Sequence, residues 1–235
     1  MIDAYPNMIS QHGQKESGRR LFLAMTAFSA LCGVSRALAQ GDLDAGGLGF
    51  RDFGVADNGA SFYRGGDPSR DPESAANAHS AKVLSVDGDK GLARVRFETI
   101  KIEAGLPLGW RAIEDWERGV AYSPDKRTRA IFWRLDFGYE GVKDAEHYAA
   151  TKSGAITARR PGIKAQARKL DDGTFLVAYQ NVPGDGDKRA VFDLVVSKPG
   201  DAKSGALLTL GAPGGDADRT LKLLALMRLE MKVDW

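Results

Sequence analysis

The chain has 235 residues, with 33 basic and 31 acidic side chains and 43% hydrophobic residues. That balance excludes an unfolded polyelectrolyte and a strongly basic nucleic-acid binder, and it supplies enough apolar material for a core in one or two domains. A single cysteine excludes an intramolecular disulfide and a thiolate metal site.

The N-terminus reads as an export signal. Arg19-Arg20 leads into the short apolar run 21–31, and Ala37-Leu38-Ala39 forms an A-x-A cleavage site that makes Gln40 the mature start. The run is too short for a spanning helix of about 20 residues. Arg19-Arg20, followed by Phe22 and Leu23, resembles the twin-arginine export signal. An ordinary secretory signal with two n-region arginines is the alternative. Cys32 follows Leu31, where a lipoprotein signal wants a small residue, so lipidation is not expected. Residues 1–39 carry Lys15, Arg19, Arg20 and Arg36 against Asp3 and Glu16, and their removal leaves equal numbers of bases and acids. No basic field remains to draw nucleic acid or an anionic membrane. The mature chain is therefore expected in the bacterial periplasm or secreted, without nucleic acid and without a membrane span.

Residues 40–80 read as a glycine-rich, partly ordered arm. Asp67-Pro68 and Asp71-Pro72 are turn signals, while Phe50, Phe53, Phe62 and Tyr63 are rings that can anchor the arm to the domain or to a partner. Residues 81–235 are expected to form one α+β domain. Its first hairpin alternates through Lys82-Val83-Leu84-Ser85-Val86 and Ala93-Arg94-Val95-Arg96-Phe97 around a turn at Asp87-Gly88-Asp89, with the second strand running on through Ile100 and Ile102. Leu106-Pro107-Leu108-Gly109-Trp110 turns into a strand at 111–114, and 119–123 is the next. Ile131, Trp133, Leu135 and Phe137 then share one face, with Phe132, Arg134 and Asp136 on the other. This apolar face is expected to lie under a helix, the final one being the most apolar candidate, and Trp133 reads as core. A helix is predicted over 142–155, strands over 163–170, 175–179, 191–196 and 207–210, a break at 211–215, and a final helix from Asp216 or Asp218 carrying Leu221 and Leu224. Residues 231–235 close the chain as a short strand.

This order of elements resembles the Mog1/PsbP-like fold family, including its bacterial periplasmic, DcrB-like members. The matching residues are Leu106-Pro107 with Gly109-Trp110, Gly119-Val120 with Tyr122, Ile131 with Trp133, Pro161-Gly162, Asp172-Gly173, and Leu208 to Pro213 before the last helix. They span about residues 95–235. The resemblance implies an α/β/α sandwich, an antiparallel sheet with helices on its faces, in non-enzymatic binding, assembly or structural accessory proteins. The hairpin around Val83 and Val95 departs from the pattern and leaves the first sheet edge open.

Catalytic groups are scarce. His147 has only Asp144 on its helix face, His79 has no spaced partner, and neither a Gly-x-Ser-x-Gly nor a phosphate-binding loop occurs. No cofactor, metal or catalytic residue is expected. The candidate binding residues are Trp110, Trp116, Tyr122, Arg134, Arg159 and Arg160, and the expected partner is a protein of the cell envelope. An alternative is a periplasmic hydrolytic or ligand-processing enzyme with a cleft near Trp110, Tyr122 and Arg134.

Overall fold

Period-two alternation of apolar residues builds most of the chain into antiparallel strands. The computed structural model describes residues 43–54, 78–184 and 188–235, all within the unit Gly33–Trp235. Arg19, Arg20, Phe22, Leu23, Ala39, Gln40, Phe62 and Tyr63 lie outside the described residues. In chain order the elements are β1 (His79–Ser80), β2 (Lys82–Asp87), β3 (Leu92–Phe97), β4 (Ile102–Pro107), β5 (Arg111–Glu114), β6 (Arg118–Tyr122), β7 (Arg129–Asp136), α1 (Ala145–Arg159), β8 (Lys164–Lys169), β9 (Phe175–Pro183), β10 (Lys188–Lys198), β11 (Asp201–Pro213), α2 (Ala217–Glu230) and β12 (Lys232–Val233).

The strands form two sheets. The larger has eight, in the order β1-β5-β6-β7-β11-β10-β9-β8; the smaller has four, in the order β12-β4-β3-β2. Every pairing is antiparallel. A helix packs on each face of the larger sheet, as an α+β fold of this kind requires. The first hairpin, β2–β3, does not extend the larger sheet. It joins β4 and β12 in a second layer, which the resemblance does not account for.

The main core lies between the larger sheet on one side and the smaller sheet and α2 on the other. Phe132, Phe192, Leu194, Leu208 and Leu210 meet Val95, Phe97, Ile102 and Leu106 of the smaller sheet and Leu221, Leu223, Leu224 and Met227 of α2. The Phe97 and Phe132 rings are 5.0 Å apart. Gly119 permits this approach, because a Cβ there would lie 2.4 Å from the Phe97 ring. The opposite face carries a second cluster, in which Leu135, Phe137, Val177, Tyr179, Val195 and Leu207 meet Ala145 and Ala149 of α1.

The alternating face of β7 is covered at Leu135 and Phe137 by α1 rather than by the final helix, while Ile131 packs with Ile113, Val120 and Tyr122. Its other face is not polar throughout. Phe132 is fully buried beneath the second sheet, whereas Trp133 is only half-buried. A strand covered on both sides loses clean alternation, so the face pattern marked which residues share a side but not which side is wet.

Several boundaries also move. The β3 strand stops at Phe97, and a turn at 98–101 separates it from β4. The first helix starts later and runs on to Arg159 through Gly154, its N-terminus capped by Asp144, whose carboxylate accepts the His147 amide at 2.8 Å. Strand β11 continues through Gly211 to Pro213 instead of breaking. The described part of the arm is an anchor: Phe50 is buried in the main core, and the Arg51 guanidinium donates to the Gly88 carbonyl at 3.0 Å. Gly91, at φ 65°, accommodates that crossing, since a Cβ there would meet the Arg51 backbone at 2.7 Å.

Candidate protein-binding surface

A short loop joins β5 to β6, and a buried carboxylate fixes it. Asp115 is 8% exposed. One of its oxygens accepts the amides of Glu117 at 2.8 Å and Arg118 at 2.9 Å, and the Arg118 guanidinium reaches the other at 3.4 Å. The backbone closes the loop through the Asp115 amide and the Arg118 carbonyl at 3.0 Å. Such a side-chain-capped turn loses little further freedom when its tip is gripped. Trp116 stands at that tip and is 66% exposed.

The loop after β7 repeats the device. Asp136 accepts the Tyr139 amide at 3.0 Å, and Tyr139 is 82% exposed. The register places both rings at one end of the larger sheet. Arg118 pairs with Trp133, so Trp116 falls level with Leu135, just short of the turn that carries Tyr139. Arg134 reaches the same end. Its guanidinium donates to the Asp234 carbonyl at 2.6 Å and lies 5.7 Å from the centre of the Trp235 ring.

Beneath this end, Glu114 ties the two sheets together. Its carboxylate, 2% exposed, accepts the amides of Glu98 and Thr99, each at 2.9 Å. His79 Nε2 approaches it at 3.3 Å. The turn between β3 and β4 is thus held against the edge that presents Trp116.

The remaining predicted site residues lie elsewhere. Trp110 is 1% exposed in the main core, and its indole N–H donates to the Phe53 carbonyl at 3.2 Å. Tyr122 is buried on the opposite face of the sheet with Ile113, Val120 and Ile131. Arg159 and Arg160 end α1 and lead into the start of β8, at the far end of the larger sheet. Trp110, Tyr122 and Arg134 therefore do not line one cleft, because the strand alternation sends Trp110 and Tyr122 to opposite sides. A cleft of about 360 Å³ does touch Trp110, but its walls are Phe53, Ser123, Asp125, Thr128, Asp216 and Arg219. In it the Ser123 hydroxyl, at 2.6 Å, holds the Asp125 carboxyl below its usual range, against the opposing effect of burial.

A buried polar cluster on the α1 side had no signal in the sequence. Asp193 is 1% exposed in mid-strand of β10. Lys152 of α1 reaches it at 2.9 Å, and the Thr209 hydroxyl donates to its other oxygen. The Lys152 ammonium also lies over the Trp133 ring, 5.8 Å from its centre. Burial, together with the Glu140 and Asp193 charges, pushes the Tyr148 phenol well above its ordinary pKa. Since α1 buries only Ala145 and Ala149 completely, this charged clamp fixes where the helix sits. Period-three-to-four spacing shows which helix residues share a face, but not that a lysine on that face meets an aspartate 41 residues later. Among the described residues, no group of three or more His, Cys, Asp or Glu side chains is placed to hold a metal ion, and no helix is long and apolar enough to cross a membrane.

No protein-family model matches the chain, and no curated protein sequence gives a significant match. Solved structures are similar to part of the chain. The Ran-binding protein Mog1p of Saccharomyces cerevisiae is 11% identical, with a TM-score of 0.44 over 60% of this chain and 95% of that one. The cyanobacterial PsbP of Synechocystis is 15% identical, with a TM-score of 0.44 over 64% of this chain and 98% of that one. These two proteins carry the names of the fold family that residues 95–235 resemble. The likeness is one of fold.

Proposed function

We propose that this chain is an exported, non-enzymatic accessory protein of the cell envelope that acts by binding another protein, with Trp116 as its principal contact. The observation that supports the reading is the presentation of Trp116: a large amphipathic ring, two-thirds exposed, on a turn whose backbone a buried carboxylate holds in place. Exposed tryptophan on a rigid frame is the side chain most often found to dominate a protein interface. Tyr139 and Arg134 at the same end extend the contact with two more residue types favoured there.

The export half of the proposal rests on Arg19, Arg20, Phe22 and Leu23 and on the cleavage motif before Gln40. Replacing both arginines by lysine should hold the precursor in the cytoplasm if the twin-arginine route is used. Continued export of that double variant assigns the general secretory route instead. The binding half is tested by recovering partners from a periplasmic extract on the immobilised chain and on Trp116→Ala. A partner retained by the parent and lost by Trp116→Ala supports the assignment. Identical recovery by both counts against it.

A further inference from the structure

We propose that β2 is a self-association edge, pairing antiparallel with β2 of a second copy to join two four-stranded sheets across a two-fold axis. The inference starts from how the described sheet edges are protected. Edges normally avoid stray pairing by being short or charged. Strands β1 and β12 are two residues long, and β8 carries Lys164, Arg168 and Lys169. Strand β2 is less protected, its only charges, Lys82 and Asp87, standing at its two ends. It is six residues long, it contains no proline, and it exposes Val83, Leu84 and Val86 at 37%, 40% and 46%.

Its register selects the occupant. Val83 pairs with Val95 and Val86 with Ala93, while Lys82 pairs with Arg96 and Asp87 with Leu92, an irregularity between Val83 and Ser85 absorbing one extra residue. Val95 and Ala93 are two apart on β3 and share a face, so Val83 and Val86 share one as well. By the same step Lys82 and Asp87 share the other face. A two-fold axis normal to the sheet, passing between Leu84 and Ser85, then sets Lys82 opposite the partner's Asp87 and Val83 opposite the partner's Val86. Each pair has both members on one side. In a regular strand residues three or five apart would point to opposite sides, and this register would fail. The bulge therefore makes the strand complementary to itself in charge and in apolar contact, as an isologous dimer requires.

The charges are available for exchange. Lys82 is 65% exposed and reaches Glu98 at 3.6 Å; one Asp87 oxygen accepts the Lys90 amide at 3.0 Å, while the other, on a side chain 34% exposed, reaches the Lys90 ammonium at 3.7 Å. Surface pairs of this kind hold their members weakly.

The test is sedimentation equilibrium of the full chain over a concentration series, with circular dichroism to confirm folding. A monomer–dimer equilibrium is expected. Lys82→Asp and Asp87→Lys should each weaken the dimer by about tenfold or more through like charges set opposite each other. Mixing these two variants, or combining both changes in one chain, should restore association. Val86→Lys, on the other face, should abolish it. A chain monomeric throughout the series overturns the proposal, as does a dimer indifferent to all three substitutions. A complex formed on β2 by a different protein, with the chain itself monomeric, also overturns it.

Discussion

Removing the Phe132 ring tests the two-layer core directly. Phe132 is 0% exposed and sits 5.0 Å from Phe97 across the gap between the two sheets. Truncating a fully buried phenylalanine to alanine costs about 3–5 kcal/mol, from the lost transfer energy and the cavity left behind. The value should fall in the upper half of that range, because the ring contact adds roughly 0.5–1.5 kcal/mol and the flanking strands cannot collapse into the gap independently. Domains of this size are stable by about 5–15 kcal/mol, so Phe132→Ala removes a large share. Urea denaturation followed by tryptophan fluorescence would show a lower midpoint at an unchanged slope. Arg134→Ala, two residues along on the same face but exposed, should cost about 1 kcal/mol or less. A loss below about 1.5 kcal/mol for Phe132→Ala, or a greater loss for the half-buried Trp133→Ala, would refute the placement of the second sheet on that face.

Gly119→Ala should destabilise by about 1–3 kcal/mol through overpacking against Phe97, and Gly119→Ala combined with Phe97→Leu should cost less than the sum of the two, as a double-mutant cycle in denaturant can show. Glu114→Ala strips the Glu98 and Thr99 amides of their acceptor and should cost about 1–3 kcal/mol by the same measurement, with increased hydrogen exchange at Glu98 and Thr99. On acidification, stability should decline below about pH 4. Although burial alone would raise its pKa, hydrogen bonds from Arg228 and Thr174 hold the Asp172 carboxyl below the ordinary carboxylate range. A depressed folded-state pKa contributes stability that is present above the unfolded value and lost as pH falls through the folded one. Asp172→Asn should therefore flatten the acid limb of a stability–pH profile, and an unchanged limb would show that the pair with Arg228 contributes nothing.

Much of the fold could be read from local pattern. The β2–β3 turn at Asp87-Gly88, the alternation of β7, and the apolar stripe Leu221–Leu224 each encode their element in neighbouring residues. What escaped is set by distant contacts. Phe132 alternates with Arg134 and Asp136 and so looks solvent-facing, until β3 and β4 fold back over it. The separation of Trp110 from Tyr122 depends on where the turn at 108–109 ends, and Glu114 gains its role from amides 15 and 16 residues earlier. Trp116 was legible as a candidate because it stands in a turn between two short strands. The Asp115 cap that exposes it needs only adjacent residues, whereas Asp193 is an isolated charge in an apolar strand whose partner no spacing rule supplies.

The proposed protein contact is tested most directly by photo-crosslinking in intact cells from a reactive amino acid at position 116, with position 160, exposed at the far end of the larger sheet, as control. The account predicts a discrete adduct with one other protein from position 116 and none from position 160. No adduct from position 116 in cells where the chain is exported and folded, or the same adduct from both positions, would contradict it.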